Sequence, residues 1–201
     1  MVELTNLLKS GLGKDYIIKA DSVKVAIAGC GGLGSNCAFN LVRSGITRLK
    51  LIDFDFVEQS NLNRQFFFYS QIGMPKPDAL AQNLMAINPE LKLDIVKEKI
   101  RDGNIKDMFS DCQVVVEALD GAREKAMIAE ALLGEGKFIV SASGVAGFGN
   151  TDRIKVHRIK KNFILVGDLE TGSDKMPVLS PAVNIAAAKQ ADIVIEYIMK
   201  Q

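Results

Sequence analysis

Between Val23 and Asp53 the chain runs apolar strand, glycine turn, helix, second strand, and that order leaves few folds open. Val23 to Ala28 is a short apolar, β-branched run, the pattern of a parallel strand buried on both faces. Gly29, Gly31 and Gly34 follow as G-x-G-x-x-G, with Gly32 inside the turn. Without side chains, such a backbone can turn tightly and approach a phosphate closely. The helix that follows points its free N–H groups and positive dipole end at that phosphate. Gly45, after Ser44, is its expected C-cap. Arg48 to Ile52 reads as the second strand. Asp53 ends it 19 positions after Gly34, where a carboxylate can accept hydrogen bonds from a ribose hydroxyl. This is a nucleotide-binding β-α-β unit.

The rest of the chain extends that unit. Residues 1–22 read as a short helix and turn, with Leu4, Leu7, Leu8 and Leu12 at helical spacing. Phe66 to Tyr69 is an aromatic cluster suited to covering a sheet edge or a subunit contact. Pro75, Lys76 and Pro77 open a helix that Asn88 and Pro89 stop. Strands are expected at 91–96, 114–119 and 138–141, with helices between them and Asp102 as an N-cap. Strands alternating with helices at this spacing predict an α/β fold, a doubly wound, mostly parallel, Rossmann-like sheet. Residues 153–159 and 163–166 form a hairpin signal, so antiparallel C-terminal strands extend the sheet. Residues 167–180 read as a flexible loop, and Pro181 opens a last helix to about residue 200. His157, the only histidine, is expected as a surface or packing residue. The expectation is a single domain over 1–201.

Composition excludes several classes. A net charge of +1 leaves no electrostatic footprint for nucleic acid or a membrane surface. No apolar run is long enough to span a bilayer. The N-terminus lacks a signal-peptide pattern, and an odd count of three cysteines favours reduced thiols. A cytoplasmic protein is expected.

A lone glycine turn is weak evidence, but here it is linked to more. Asp53, Asp55, Val57, Ser60, Asn61, Leu62, Arg64 and Gln65 follow it, Lys76 comes 12 residues after Arg64, and Asp120 ends a later strand. In sheets of this kind ligands sit beyond the carboxyl ends of the strands, where Gly34, Asp53 and Asp120 all fall. From the residues alone, Asp53 could also cap its own turn, Arg64 could form an ion pair, and Asp120 could cap the next helix. Lys76 is poorly placed at a helix N-terminus unless an anion is near. Asp55 is equally open to a structural and a functional role.

With this string the chain resembles the ThiF/MoeB/HesA family, relatives of ubiquitin-activating enzymes, over about Val23 to Ser143. It is most similar to the short ThiF-type members linked to thiamine biosynthesis. The resemblance implies ATP- and magnesium-dependent adenylation of the C-terminal Gly-Gly carboxylate of a ThiS-like, ubiquitin-fold sulfur carrier, by a homodimer. It implies that Gly29, Gly31, Gly32 and Gly34 cradle phosphate and that Asp53 binds ribose. Asp55, Ser60 and Asn61 would complete the nucleotide site, with Arg64 and Lys76 on the phosphates and Asp120 holding Mg2+. Such a reaction needs in-line placement and charge stabilisation more than a base, since a carboxylate is already a nucleophile.

The chain departs from the family's pattern in places. Glu117 and Gly121 stand where many members have Asp and Asn. No arginine precedes Arg43, so Lys9, Lys14 or Lys19 would replace the N-terminal arginine that members lend to a partner subunit. No zinc is expected, because Cys30, Cys37 and Cys112 cannot form paired Cys-x-x-Cys motifs. The alternatives are adenylation of a molybdopterin-type carrier or a tRNA-bound carboxylate, and a catalytically weak nucleotide-binding scaffold. An NAD-dependent dehydrogenase would use the glycine turn and Asp53 but leaves Arg64 and Lys76 without a purpose.

Overall fold

The computed structural model describes residue 8, residues 10–172, residue 174 and residues 176–201. Leu4 and Leu7 of the expected N-terminal helix lie outside the described residues, as does Lys9. The helix α1 covers Lys14–Ser22.

Seven strands form one sheet in the order β3-β2-β1-β4-β5-β7-β6. They are β1 Val25–Ala28, β2 Arg48–Ile52, β3 Lys92–Val96, β4 Val114–Glu117, β5 Phe138–Ala142, β6 Lys155–Lys160 and β7 Phe163–Gly167. All neighbours are parallel except β6 and β7. This is the doubly wound sheet expected, with one refinement. The hairpin enters the sheet through its second strand, which lies parallel to β5, and β6 forms the exposed outer edge.

The helices are α2 Gly32–Arg43, α3 Lys76–Ile87, α4 Ile105–Met108, α5 Ala122–Leu132 and α6 Ser180–Met199. Period-two side-chain direction sorts β1 between two cores. Val25 and Ile27 join one with Cys37 and Leu41 of α2, Leu80 of α3 and Val194 of α6. Ala26 and Ala28 join the other with Ile105, Phe109, Ile128 and Leu132. Gly34 is required where α2 crosses β1, because a Cβ there would overlap the Gly29 carbonyl.

One local expectation fails. Asp102 is not the cap of the short α4; Asn104 occupies that position, and its side chain accepts the Arg101 amide at 2.8 Å. Burial of Ile105 and Phe109 sets the helix register and leaves Asp102 in the preceding turn. His157 bonds the Gly167 carbonyl across the hairpin at 2.9 Å.

Candidate functional site

The order of strands reverses between β1 and β4, so the crevice of a doubly wound sheet opens there. A cavity of about 370 Å³ lies at this point. Gly32, Arg64, Gln65, Leu119, Asp120 and Lys125 line it, together with residues 142–146, Thr171, Gly172 and Asp174.

The glycine turn is held from both sides. The Gly29 amide donates to the Ile52 carbonyl at 2.8 Å, and the Cys30 amide to Asp53 Oδ2 at 2.7 Å. Among the described residues the amides of Gly31 and Gly32 find no acceptor. They are the free donors that an anion at a helix start would take. Asp53 also accepts the amides of Phe54 and Asp55 through Oδ1, so it closes its own turn as well as facing the glycine loop.

The 60–65 segment packs against the start of α2. The Asn36 side chain donates to the carbonyls of Gly32 at 2.7 Å and Arg64 at 2.9 Å, and Ser35 Oγ accepts the Phe66 amide at 3.0 Å. Ser35 and Asn36 thus position Arg64, a role with no signal in one sequence beyond their place in the first turns of a helix. Asn61 is buried and committed to its own turn, accepting the Glu58 amide at 3.0 Å, while Ser60 bonds Glu58. Arg64 Nη1 donates to the Ser60 carbonyl and to Asn63 Oδ1, and no carboxylate pairs with it among the described residues.

Lys76 does have an anion beside it. Its ammonium meets Asp55 Oδ2 at 2.9 Å, and its amide donates to the Asp55 carbonyl at 2.8 Å. The placement that looked unfavourable in sequence is therefore offset by Asp55. Asp55 is about half exposed, however, and such pairs contribute only about 0–1 kcal/mol.

The structure thus brings Gly32, Arg64 and Asp120 to one cavity, while Asp53, Asp55, Ser60, Asn61 and Lys76 do not line it. Asp53 lies on the β2 side of the glycine turn, away from β4. Asp120 is exposed and has no hydrogen-bond partner among the described residues, and Gly121 rather than Asp120 is the N-cap of α5. A hard, exposed carboxylate at the edge of this cavity fits Mg2+, which binds through one or two carboxylates, substrate phosphates and waters. Among the described residues no group of three His, Cys, Asp or Glu side chains is arranged to hold a metal by itself.

The bonds of Glu117 to Ser141 and Lys125 were not visible in sequence. Glu117 is buried at the end of β4, where it bonds Ser141, the Leu119 amide at 2.7 Å and the Lys125 ammonium at 3.2 Å. Burial pushes its carboxyl up, against the pull of Lys125 and these hydrogen bonds. The longer acid at this position anchors the end of β4 and holds the ammonium of Lys125, which is among the residues lining the cavity. Gln65 Oε1 is buried without a partner beside the glycine turn. Lys14 is exposed, and Lys19 donates to the Met199 carbonyl at 2.8 Å.

A parallel sheet with a glycine turn and a cavity at its switch point is the arrangement of nucleotide-binding α/β proteins. The chain belongs to the ThiF family, whose pattern matches residues 5–201. It is 53% identical over 70 residues to the Arabidopsis thaliana ubiquitin-like modifier-activating enzyme 5, a stretch covering 35% of this chain and 16% of that protein. It is 33% identical over 135 residues to the Aspergillus niger adenylyltransferase and sulfurtransferase uba4, covering 67% of this chain and 28% of that protein. The chain therefore spans less than a third of either relative. Among solved structures, Escherichia coli tRNA N6-threonylcarbamoyladenosine dehydratase, TcdA, in complex with ATP shares the fold. Its TM-score is 0.80 at 22% identity, over 96% of this chain and 90% of that one. Among the described residues no helix is long and apolar enough to cross a membrane.

Proposed function

We propose that this protein adenylates a carboxylate with ATP, forming an acyl-adenylate and releasing pyrophosphate. The observation that carries the reading is the convergence of Arg64, the free amide of Gly32 and Asp120 on one cavity at the sheet's switch point. Family membership and the adenylyltransferase named among its relatives support it. The carboxylate oxygen attacks the α-phosphorus, a C–O–P bond forms, and the bond to the β-phosphate oxygen breaks. The glycine-turn amides and the Arg64 fork stabilise charge growing on the phosphate oxygens. Asp53 takes the ribose, and Lys76, already desolvated, exchanges or shares its weak pair with Asp55 for the polyphosphate. Asp120 would hold Mg2+, which when bound neutralises phosphate charge.

The substrate we infer is the Gly-Gly tail of a ThiS-like carrier of thiamine biosynthesis. The small side chains along 142–146 and at Gly172 leave room for an unbranched tail. A second reading, adenylation of a carboxylate borne by tRNA, draws support from the likeness to TcdA. Mixing the protein with ATP, magnesium and each candidate should yield a mass increase of one AMP on the true substrate only. No adduct and no ATP–pyrophosphate exchange with any carboxylate would refute the reading. The same reading carries a cytoplasmic homodimer, with Phe68 and the 76% exposed Tyr69 available for a two-fold contact. Light scattering showing a monomer at micromolar concentration would exclude that assembly.

A further inference from the structure

Part of the cavity lining comes from two separate loops, 143–146, which follows β5 two strands from the glycine turn, and the segment containing Thr171 and Gly172. Both are tied to one guanidinium. Arg153 closes the 3₁₀ turn Thr151–Arg153 just before β6. Its Nη1 donates to the Asp168 carboxylate and to Thr171 Oγ1 at 3.0 Å, and its Nη2 to the Ala146 carbonyl. Asp168 in turn accepts the amides of Glu170 at 2.9 Å and Thr171 at 2.8 Å, and the Thr171 hydroxyl at 2.8 Å. The backbone adds two links, from the Asp168 amide to the Gly144 carbonyl and from the Leu169 amide to the Ser143 carbonyl.

The local backbone is bent to make this arrangement possible. Gly144 has φ +75°, and a Cβ there would run into the Asp168 carboxylate. Leu169 has φ +66°, the only positive value at a non-glycine among the described residues. Such a conformation persists only where its surroundings over-determine it. The side chains of Arg153 and Asp168 are only 19% and 11% exposed, so the charge-assisted bonds between them are shielded from competing water. Neither residue lines the cavity itself; they act through the loops that do.

We propose that Arg153 and Asp168 are positioning residues that fix the acyl end of the cavity, while the Gly32–Arg64 end binds the nucleotide. This inference rests on the adenylation reading. In-line attack on the α-phosphorus puts the carboxylate across from the departing pyrophosphate. Across the strand order β1-β4-β5 the glycine turn comes first, Asp120 next and 143–146 last, so the side of 143–146 and Thr171–Gly172 is the one left for the acyl group. A fixed wall there holds the acyl chain at attacking distance. A loosened wall leaves the nucleotide's contacts intact and misplaces only the acyl group.

The test uses two ligands on the whole chain. One is AMP. The other is glycyl-sulfamoyladenosine, whose sulfamoyl linkage stands in for the acyl phosphate of glycyl-adenylate. Calorimetric titration of wild type should show tighter binding of the sulfamoyl compound. Arg153→Lys keeps the charge but loses the fork, and should erode that preference by ~10-fold or more, since small misplacements of a positioned group are costly. Its affinity for AMP should stay within about two-fold, and Thr171→Val should move in the same direction to a smaller extent. Equal weakening of both ligands, or an undiminished preference in the variants, overturns the inference. If Arg153→Lys does not fold, Thr171→Val decides by the same criterion. Wild type that binds AMP but shows no preference also overturns it. Wild type that binds neither ATP nor AMP overturns the adenylation reading itself.

Discussion

Arg64 and Lys76 share a charge but not a situation, and the difference yields a prediction. Arg64 donates only to neutral oxygens of its own segment, so its charge is available to a ligand. Lys76 is 8% exposed and held by Asp55, so its charge is partly used. Arg64→Ala should reduce ATP–pyrophosphate exchange by at least ~10²-fold, the scale for one preorganised donor at a developing charge. Lys76→Ala should fall by a similar factor, whereas Asp55→Ala should cost far less if the lysine serves the phosphates. Exchange lost equally in Lys76→Ala and Asp55→Ala would make the pair a structural unit instead. Asp120 has no partner to lose among the described residues, so Asp120→Asn should leave the melting temperature within about 1 °C, as surface changes do. It should raise the magnesium concentration needed for half-maximal exchange. An unchanged magnesium requirement would remove the metal role from Asp120.

At the scale of elements, the strand–turn–helix–strand unit was legible because each part has a local cause, β-branched runs and glycines, and the later helices at Lys76 and Ser180 were marked by the prolines that open them. The parallel, doubly wound sheet followed from alternation of strands and helices, and the order β3-β2-β1-β4-β5-β7-β6 came from the structure. What was not legible depends on distance in sequence. Glu117 meets Lys125 and Ser141, and Arg153 meets Asp168 and Ala146, only after the sheet has formed. The stretch at 167–180, read as a loop without periodicity, has no repeating pattern because its described order comes from such long-range bonds. Asp168 makes this order testable. Burial would raise its carboxyl, but the amides of Thr171 and Glu170, the Thr171 hydroxyl and Arg153 pull it down to about 2, from the usual 3.8. Between those values the folded state binds fewer protons than the unfolded chain. Its stabilising contribution is therefore complete above pH 3.8 and disappears as pH falls through 2. The melting-temperature gap between wild type and Asp168→Asn should accordingly be constant near neutrality and shrink in that acid range. A gap independent of pH would show that the loop is held by something else.

For the molecule as a whole, the distribution of its thiols limits what chemistry can follow adenylation. The sequence has three cysteines, and all three are buried and unpaired. Cys30 sits in the glycine turn with its side chain in the core, where burial and then the Asp53 charge raise its thiol well above the ordinary range. Burial alone raises Cys37, packed within α2. Burial and then Asp111 push Cys112 up to about 12, and it lies at the start of β4, the opposite end from Asp120. A thioester or acyl-disulfide step needs an accessible thiolate near the activated carboxylate, and none of these can supply one near neutral pH. This chain's own residues should therefore carry its substrate to the acyl-adenylate and no further, leaving sulfur to arrive from an external thiolate or persulfide. Wild type mixed with substrate, ATP and magnesium should show no reducible adduct on a non-reducing gel, and native protein should react with iodoacetamide far more slowly than unfolded protein. A Cys30→Ser, Cys37→Ser, Cys112→Ser triple variant that folds should still exchange pyrophosphate. A reducible adduct that forms with wild type and vanishes in the triple variant would reverse the conclusion, and would mean that the fold opens around a thiol during turnover.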